Sequence, residues 1–215
     1  MTGFAIRLFV GAALAAAAAG AMAQTLDDAT LAYHEQEYEK AAQMLAPLAE
    51  KGDPGAQYLL GTLYIEGKGV EHDDKTAVKW FEKAANRGDP RAQYNLGASY
   101  AEGTGVAKSD ADAARWFLRA ANQGMVLAQF NLALLCAAGN GVAKDNVEAF
   151  KWLEIAFRNL DAGGVRSDVA RAMTDVSGNM TRDEIDEAQA RAHRFSPRPE
   201  MNLGGAAASS ATPAK

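Results

Sequence analysis

Asp53–Gly88 reads DPGAQYLLGTLYIEGKGVEHDDKTAVKWFEKAANRG, and Asp89–Gly124 reads DPRAQYNLGASYAEGTGVAKSDADAARWFLRAANQG. A third stretch of the same 36 residues, Met125–Leu160, reads MVLAQFNLALLCAAGNGVAKDNVEAFKWLEIAFRNL. The only tryptophans, Trp80, Trp116 and Trp152, fall one to each copy. So do Ala56, Ala92 and Ala128; Leu60, Leu96 and Leu132; Gly67, Gly103 and Gly139; and Val70, Val106 and Val142. A fixed period of this size marks stacked helical units, each too small to bury its apolar face alone. It points to an all-α chain that works through an extended surface rather than a catalytic pocket.

Each copy reads as a helix hairpin. Asp53-Pro54 places a capping acid before a proline at the first helical position, where a missing N–H costs nothing. Ala56, Leu60, Gly61, Leu63 and Tyr64 then form one stripe at spacings of three and four. A glycine in mid-helix, at 61 and 97, weakens the helix unless a second helix packs closely there. Gly67-Lys68-Gly69-Val70 ends the first helix. The second starts at Asp74, Asp110 or Asn146, read as N-caps, with a buried stripe of Ala77, Trp80, Phe81 and Ala84 and its equivalents. Trp80, Trp116 and Trp152 are assigned to the core.

The three passes of Ala-x-x-x-Leu-Gly-x-x-Tyr-x-x-Gly-x-Gly-Val, followed by Asp, Ala, Trp, Ala-Ala and a closing Gly, resemble the Sel-one-like repeat family, relatives of tetratricopeptide repeats. The resemblance spans roughly Asp53 to Phe157. It implies a right-handed α-α superhelix of antiparallel hairpins. The third pass departs from the pattern at Met125-Val126, Ala133 and Cys136.

The flanks complete a domain plan. Residues 1–23 read as a signal peptide: Arg7, the apolar run Leu8–Ala19, and a small-residue cleavage site at Ala21-Met22-Ala23 before Gln24. The run is shorter than the ~20 residues of a bilayer span, so the mature chain is expected in the periplasm or secreted, and not embedded in the membrane. Residues 24–52 hold a tetratricopeptide-like hairpin, with helices over Leu26–Gln36 and Tyr38–Lys51. Residues 53–160 hold the three repeats (53–88, 89–124 and 125–160). Residues 161–195 hold two capping helices. One carries Val165, Val169, Met173 and Val176; the other opens at the capping box Thr181–Glu184 and turns Ile185, Ala188 and Ala192 inward. The Pro, Gly, Ala and Ser content of 196–215 reads as a disordered tail.

Loss of the leader leaves 21 basic against 27 acidic residues, a net charge of −6, which argues against a nucleic-acid partner. Cys136 stands alone at a core position and reads as a small buried hydrophobe. His34, His72 and His193 sit in separate units without cysteine partners. The glycine loops follow helices and lack phosphate-binding spacing. No catalytic residue, cofactor or metal site is expected.

What varies between copies lies on the other face of the first helices. Tyr58, Tyr94 and Phe130 project about opposite the core stripe, beside Thr62, Ala98 and Leu134, with Asn95 and Asn131 as neighbours. These residues either line a concave groove that holds a protein or peptide partner, or pack against the next repeat. Gln57, Gln93 and Gln129 are read as polar groove residues. Phe130 and Leu134 form an apolar patch, which the C-terminal helices are expected to cover if no partner does. The family resemblance implies adaptor or regulatory work in envelope complexes, signalling or polysaccharide export. Two rival readings are a β-lactam-binding or β-lactam-hydrolysing protein and a passive spacer. The cysteine-rich branch of the family that suggests the first carries a cysteine pair in each repeat, which this chain lacks.

Overall fold

Two proline-led first helices, glycine stops, and second helices capped by Asp or Ser recur through the computed structural model, which describes residues 25–160 and 163–200. The predicted leader lies outside these residues. Among them the chain forms ten α-helices and no strand. They are α1 (Leu26–His34), α2 (Tyr38–Glu50), α3 (Pro54–Glu66), α4 (Asp74–Asn86), α5 (Pro90–Glu102), α6 (Asp110–Asn122), α7 (Val126–Ala138), α8 (Asn146–Arg158), α9 (Gly164–Ser177) and α10 (Arg182–His193). Each helix from α1 to α8 packs on the next, giving a solenoid of hairpins. At the C-terminal end α9 and α10 both pack on α8, so they close the array as a clamp on one helix.

The caps follow from side-chain chemistry. Asp53 accepts from the Ala56 amide at 2.8 Å, and Asp89 from those of Arg91 and Ala92 at 2.9 and 3.1 Å. Met125 offers no such oxygen, and α7 begins without a side-chain cap. The second helices start where the sequence places them, but their N-caps are one residue earlier. Asp73, Ser109 and Asp145 accept from the amides of Thr76, Asp112 and Glu148. An N-cap needs an extended backbone to aim its oxygen at the third helical N–H. Asp74, Asp110 and Asn146 are already helical. The Thr181–Glu184 capping box forms, and a second one, Thr25–Asp28, opens α1.

Close packing accounts for the glycines. A Cβ on Gly97 would lie 2.8 Å from the Phe117 ring, and one on Gly61 2.7 Å from Phe81. In the third repeat both partners change together: Ala133 stands where the glycine was and Leu153 where the phenylalanine was. Gly105 lets the α5–α6 loop sit on the start of α4, since a Cβ there would come 2.3 Å from the Asp74 carbonyl oxygen. Gly69 and Gly141 meet the starts of α2 and α6 in the same way.

The tryptophans divide. Trp152 is 1% exposed, but Trp80 and Trp116 are half-buried, which corrects their assignment to the core. Trp80 packs on the cluster formed by α1, α2 and α3, and Trp116 on that formed by α4 and α5, with Lys83 or Arg119 over the ring at 3.7 or 4.7 Å. Trp152 has Phe195 across it as well, with ring centroids 5.3 Å apart. Val165 is exposed, while Val169 and Val176 are buried.

Candidate protein-binding site

Tyr58 and Tyr94 project from α3 and α5 and stay half-buried, each resting on a phenylalanine of its own repeat's second helix. The Tyr58–Phe81 and Tyr94–Phe117 centroids are 6.2 and 5.8 Å apart, with tilted rings. Arg91, from the start of α5, stacks over Tyr58 at 4.3 Å. Tyr94 and Ala98 also border the core of the third repeat. Thr62 donates its hydroxyl to the Tyr58 carbonyl within its own helix. Phe130, Asn95 and Asn131 are half-buried as well. Leu134 is 41% exposed. Because α9 and α10 pack chiefly on α8, no helix among the described residues covers Leu134. The first-helix face is therefore a row of partly open rings that ends in an exposed leucine.

The three glutamines are not on that face. Gln57, Gln93 and Gln129 are buried. Their Nε2 atoms donate to the carbonyls of Ala49, Ala85 and Ala121 at 2.9, 3.1 and 3.1 Å. These carbonyls lie in the last turn of the preceding second helix, where intrahelical partners run out. The glutamines staple one repeat to the next, which the pattern of neighbouring polar residues could not reveal.

Cys136 is buried, and burial pushes its thiol up to about 11. The histidines remain apart: His72 bonds the Ile65 carbonyl and Asp74, whereas His193 meets Arg158. No group of three His, Cys, Asp or Glu side chains gathers among the described residues.

A second surface was missed at the sequence level. Ser196–Glu200 is not a loose tail; it lies across the turns that join one repeat to the next, while residues 201–215 are outside the described chain. The Glu200 carboxylate takes two bonds from Arg119, through Nε at 3.0 Å and Nη2 at 2.5 Å, and one from Gln93 Nε2 at 2.9 Å. Its backbone amide donates to Gln123 Oε1 at 3.0 Å, and the Arg198 amide donates to the Asn122 carbonyl at 2.8 Å. Glu200 lies over Gly88 and Pro197 over Gly124. The compositional bias of the tail concealed this docking, because its partners are spread over two repeats.

The family profile described as Sel1 repeat matches residues 54–89, 90–125 and 126–159, in register with the copies in the sequence. No curated protein matches the chain. Among solved structures, a Sel1 repeat protein from Oxalobacter formigenes is 30% identical with a TM-score of 0.65, the match covering 78% of this chain and 68% of that one. A protective antigen present in uropathogenic Escherichia coli strains, displaying an SLR fold, is 28% identical with a TM-score of 0.71. That match covers 82% of this chain but 38% of the antigen, so the chain spans well under half of the antigen's length.

Proposed function

Because the chain belongs to the Sel1 repeat family, whose members are generally non-enzymatic protein-interaction modules, we propose that it is an exported adaptor of a bacterial envelope process. It holds a protein or peptide partner along the first-helix face. The observation that carries this reading is the row Tyr58, Tyr94 and Phe130, half-buried and already braced by packing, leading to the exposed Leu134. Braced aromatic rings make good anchors because little side-chain freedom is lost when a partner covers them. Thr62, Asn95, Ala98 and Asn131 flank them and would set register. Export rests on the leader at residues 1–23, and mass spectrometry of the secreted or periplasmic chain should find Gln24 as its first residue.

The binding test compares capture from an envelope extract by the unaltered chain, by Leu134→Glu and by Tyr94→Ala/Phe130→Ala. Leu134→Glu places a charge on the exposed end of the row without removing core atoms, so it should lose the partner at unchanged helicity. Retention of every captured protein by that variant would overturn the assignment. If the double variant loses helicity together with capture, the two rings are structural.

A further inference from the structure

The Ser196–Glu200 segment is bound in the manner of a peptide ligand. Along it, the residues that donate backbone bonds are Arg198 and Glu200. The residues between and before them, Pro199 and Pro197, have no N–H to leave unsatisfied. Two prolines in three residues also hold the strand extended before it docks, which lowers the ordering cost. A polyproline II strand turns once in three residues, so Pro197 and Glu200 fall on the same side and both face the protein.

Spacing links the segment to the repeat. Pro197 sits over Gly124 and Glu200 over Gly88, so three residues of ligand cross one 36-residue repeat. Three extended residues span about 10 Å, close to the distance between packed helices. Both glycines matter sterically: a Cβ on Gly88 would come 3.1 Å from the Glu200 Cβ, and one on Gly124 would come 3.3 Å from the Pro197 ring.

Charge selects the ligand's chemistry. The Arg119 fork, placed over the Trp116 ring, grips both oxygens of one carboxylate, and the buried Gln93 adds a third donor. Gln123 orients the site by donating to Gln93 Oε1 at 2.8 Å while it accepts the ligand amide. Gln57, the equivalent of Gln93 one repeat earlier, is 3% exposed, and its Oε1 has no hydrogen-bond partner among the described residues. The Arg119–Glu200 pair keeps about a third of each side chain open to solvent, and pairs of that kind exchange readily.

We propose that the edge built from Gly88, Gln93, Arg119, Gln123 and Gly124 is a peptide-binding site distinct from the first-helix face. It takes an extended partner segment with an acidic side chain three residues after a proline. The chain's own Pro197–Glu200 occupies it as an internal ligand, and a partner segment of the same chemistry displaces it.

The test uses fluorescence anisotropy on the full chain, with the labelled probe acetyl-Phe-Ser-Pro-Arg-Pro-Glu-Met-Asn-Leu-amide. Glu200→Ala and the conservative Glu200→Gln both remove the internal carboxylate and touch no core atom. Either variant should bind the probe at least about tenfold tighter than the unaltered chain, the scale of one charged hydrogen-bonded contact. Adding Arg119→Gln, or replacing the probe's glutamate by glutamine, should reverse that gain. Equal affinity of the Glu and Gln probes, or no gain on opening Glu200, would overturn the proposal. So would a concentration-dependent dimer of the unaltered chain that Glu200→Ala abolishes, since the segment would then be exchanged between two copies. Leu134→Glu should leave probe binding unchanged, which separates this site from the first-helix face.

Discussion

Position 97 shows how one side chain answers another. Gly97 and Phe117 fill a space that Ala133 and Leu153 fill in the next repeat, so the methyl gained on one helix is matched by the bulk lost on its partner. Gly97→Ala should therefore destabilise the chain by about 1–2 kcal/mol in urea unfolding, because overpacking outweighs the better helix propensity of alanine. Gly97→Ala with Phe117→Leu should cost less than the sum of the two single changes, a coupling of about 1 kcal/mol. Additive costs would show that the two sites do not share the space. Cys136 gives a second check at this scale. Its raised thiol contributes stability in full below the ordinary value of 9.0, and that contribution is lost as pH rises through about 11. A thiol reagent at pH 8 should leave the native chain unlabelled and react only on unfolding.

For an element, the start of a helix matters as much as its stripe. Asp73 and Asp74 are adjacent acids, but only Asp73 has the extended backbone that turns its carboxylate onto the Thr76 amide. Asp73→Ala should cost about 1 kcal/mol and Asp74→Ala a few tenths, measured by thermal unfolding of the full chain. Equal costs would return the cap to Asp74. The last helix offers a pH counterpart. The bonds Glu184 receives from the Thr181 amide and hydroxyl hold its carboxyl below its usual range. The stability it contributes is present above the ordinary value of 4.5 and is lost as pH falls through the lowered one. Protection factors of the α10 amides, exchange rates taken relative to the free-chain rate at each pH, should fall on acidification, and Glu184→Gln should flatten that response.

Across the whole molecule, the hairpins are joined by contacts that repeat every 36 residues, so coupling between neighbours decides how the array unfolds. Gly105 and Gly103 separate local strain from coupling. Both have positive φ, 72° and 82°, but only on Gly105 would a Cβ meet the backbone of the preceding repeat, at 2.3 Å from the Asp74 carbonyl oxygen. Gly103→Ala should cost about 1–2 kcal/mol of left-handed strain. Gly105→Ala should cost about 3 kcal/mol or more and broaden the unfolding transition as α4 and α5–α6 separate. Matching, sharp transitions for both variants would mean that the second glycine serves its own turn alone.

The sequence by itself determined the period, the hairpins, the glycine stops and the proline-led first helices. Those properties depend on spacing and local backbone preference, which a linear pattern carries in full. It also located the ring-bearing face of the first helices, because a helix turns by a fixed angle per residue. Tertiary structure alone decided the depth of each residue, since burial depends on what the next unit brings. Gln93 and Asn95 are both polar residues of α5, yet Gln93 is buried because the last turn of α4 presents the Ala85 carbonyl to it. A cation lies over all three tryptophans, but Trp152 is covered while Trp80 and Trp116 are half-buried, because only Trp152 has Phe195 across it as well. Glu200 joins Arg119 and Gln93 across 81 and 107 residues of chain, a separation at which no periodicity can pair them and only folding brings opposite charges together.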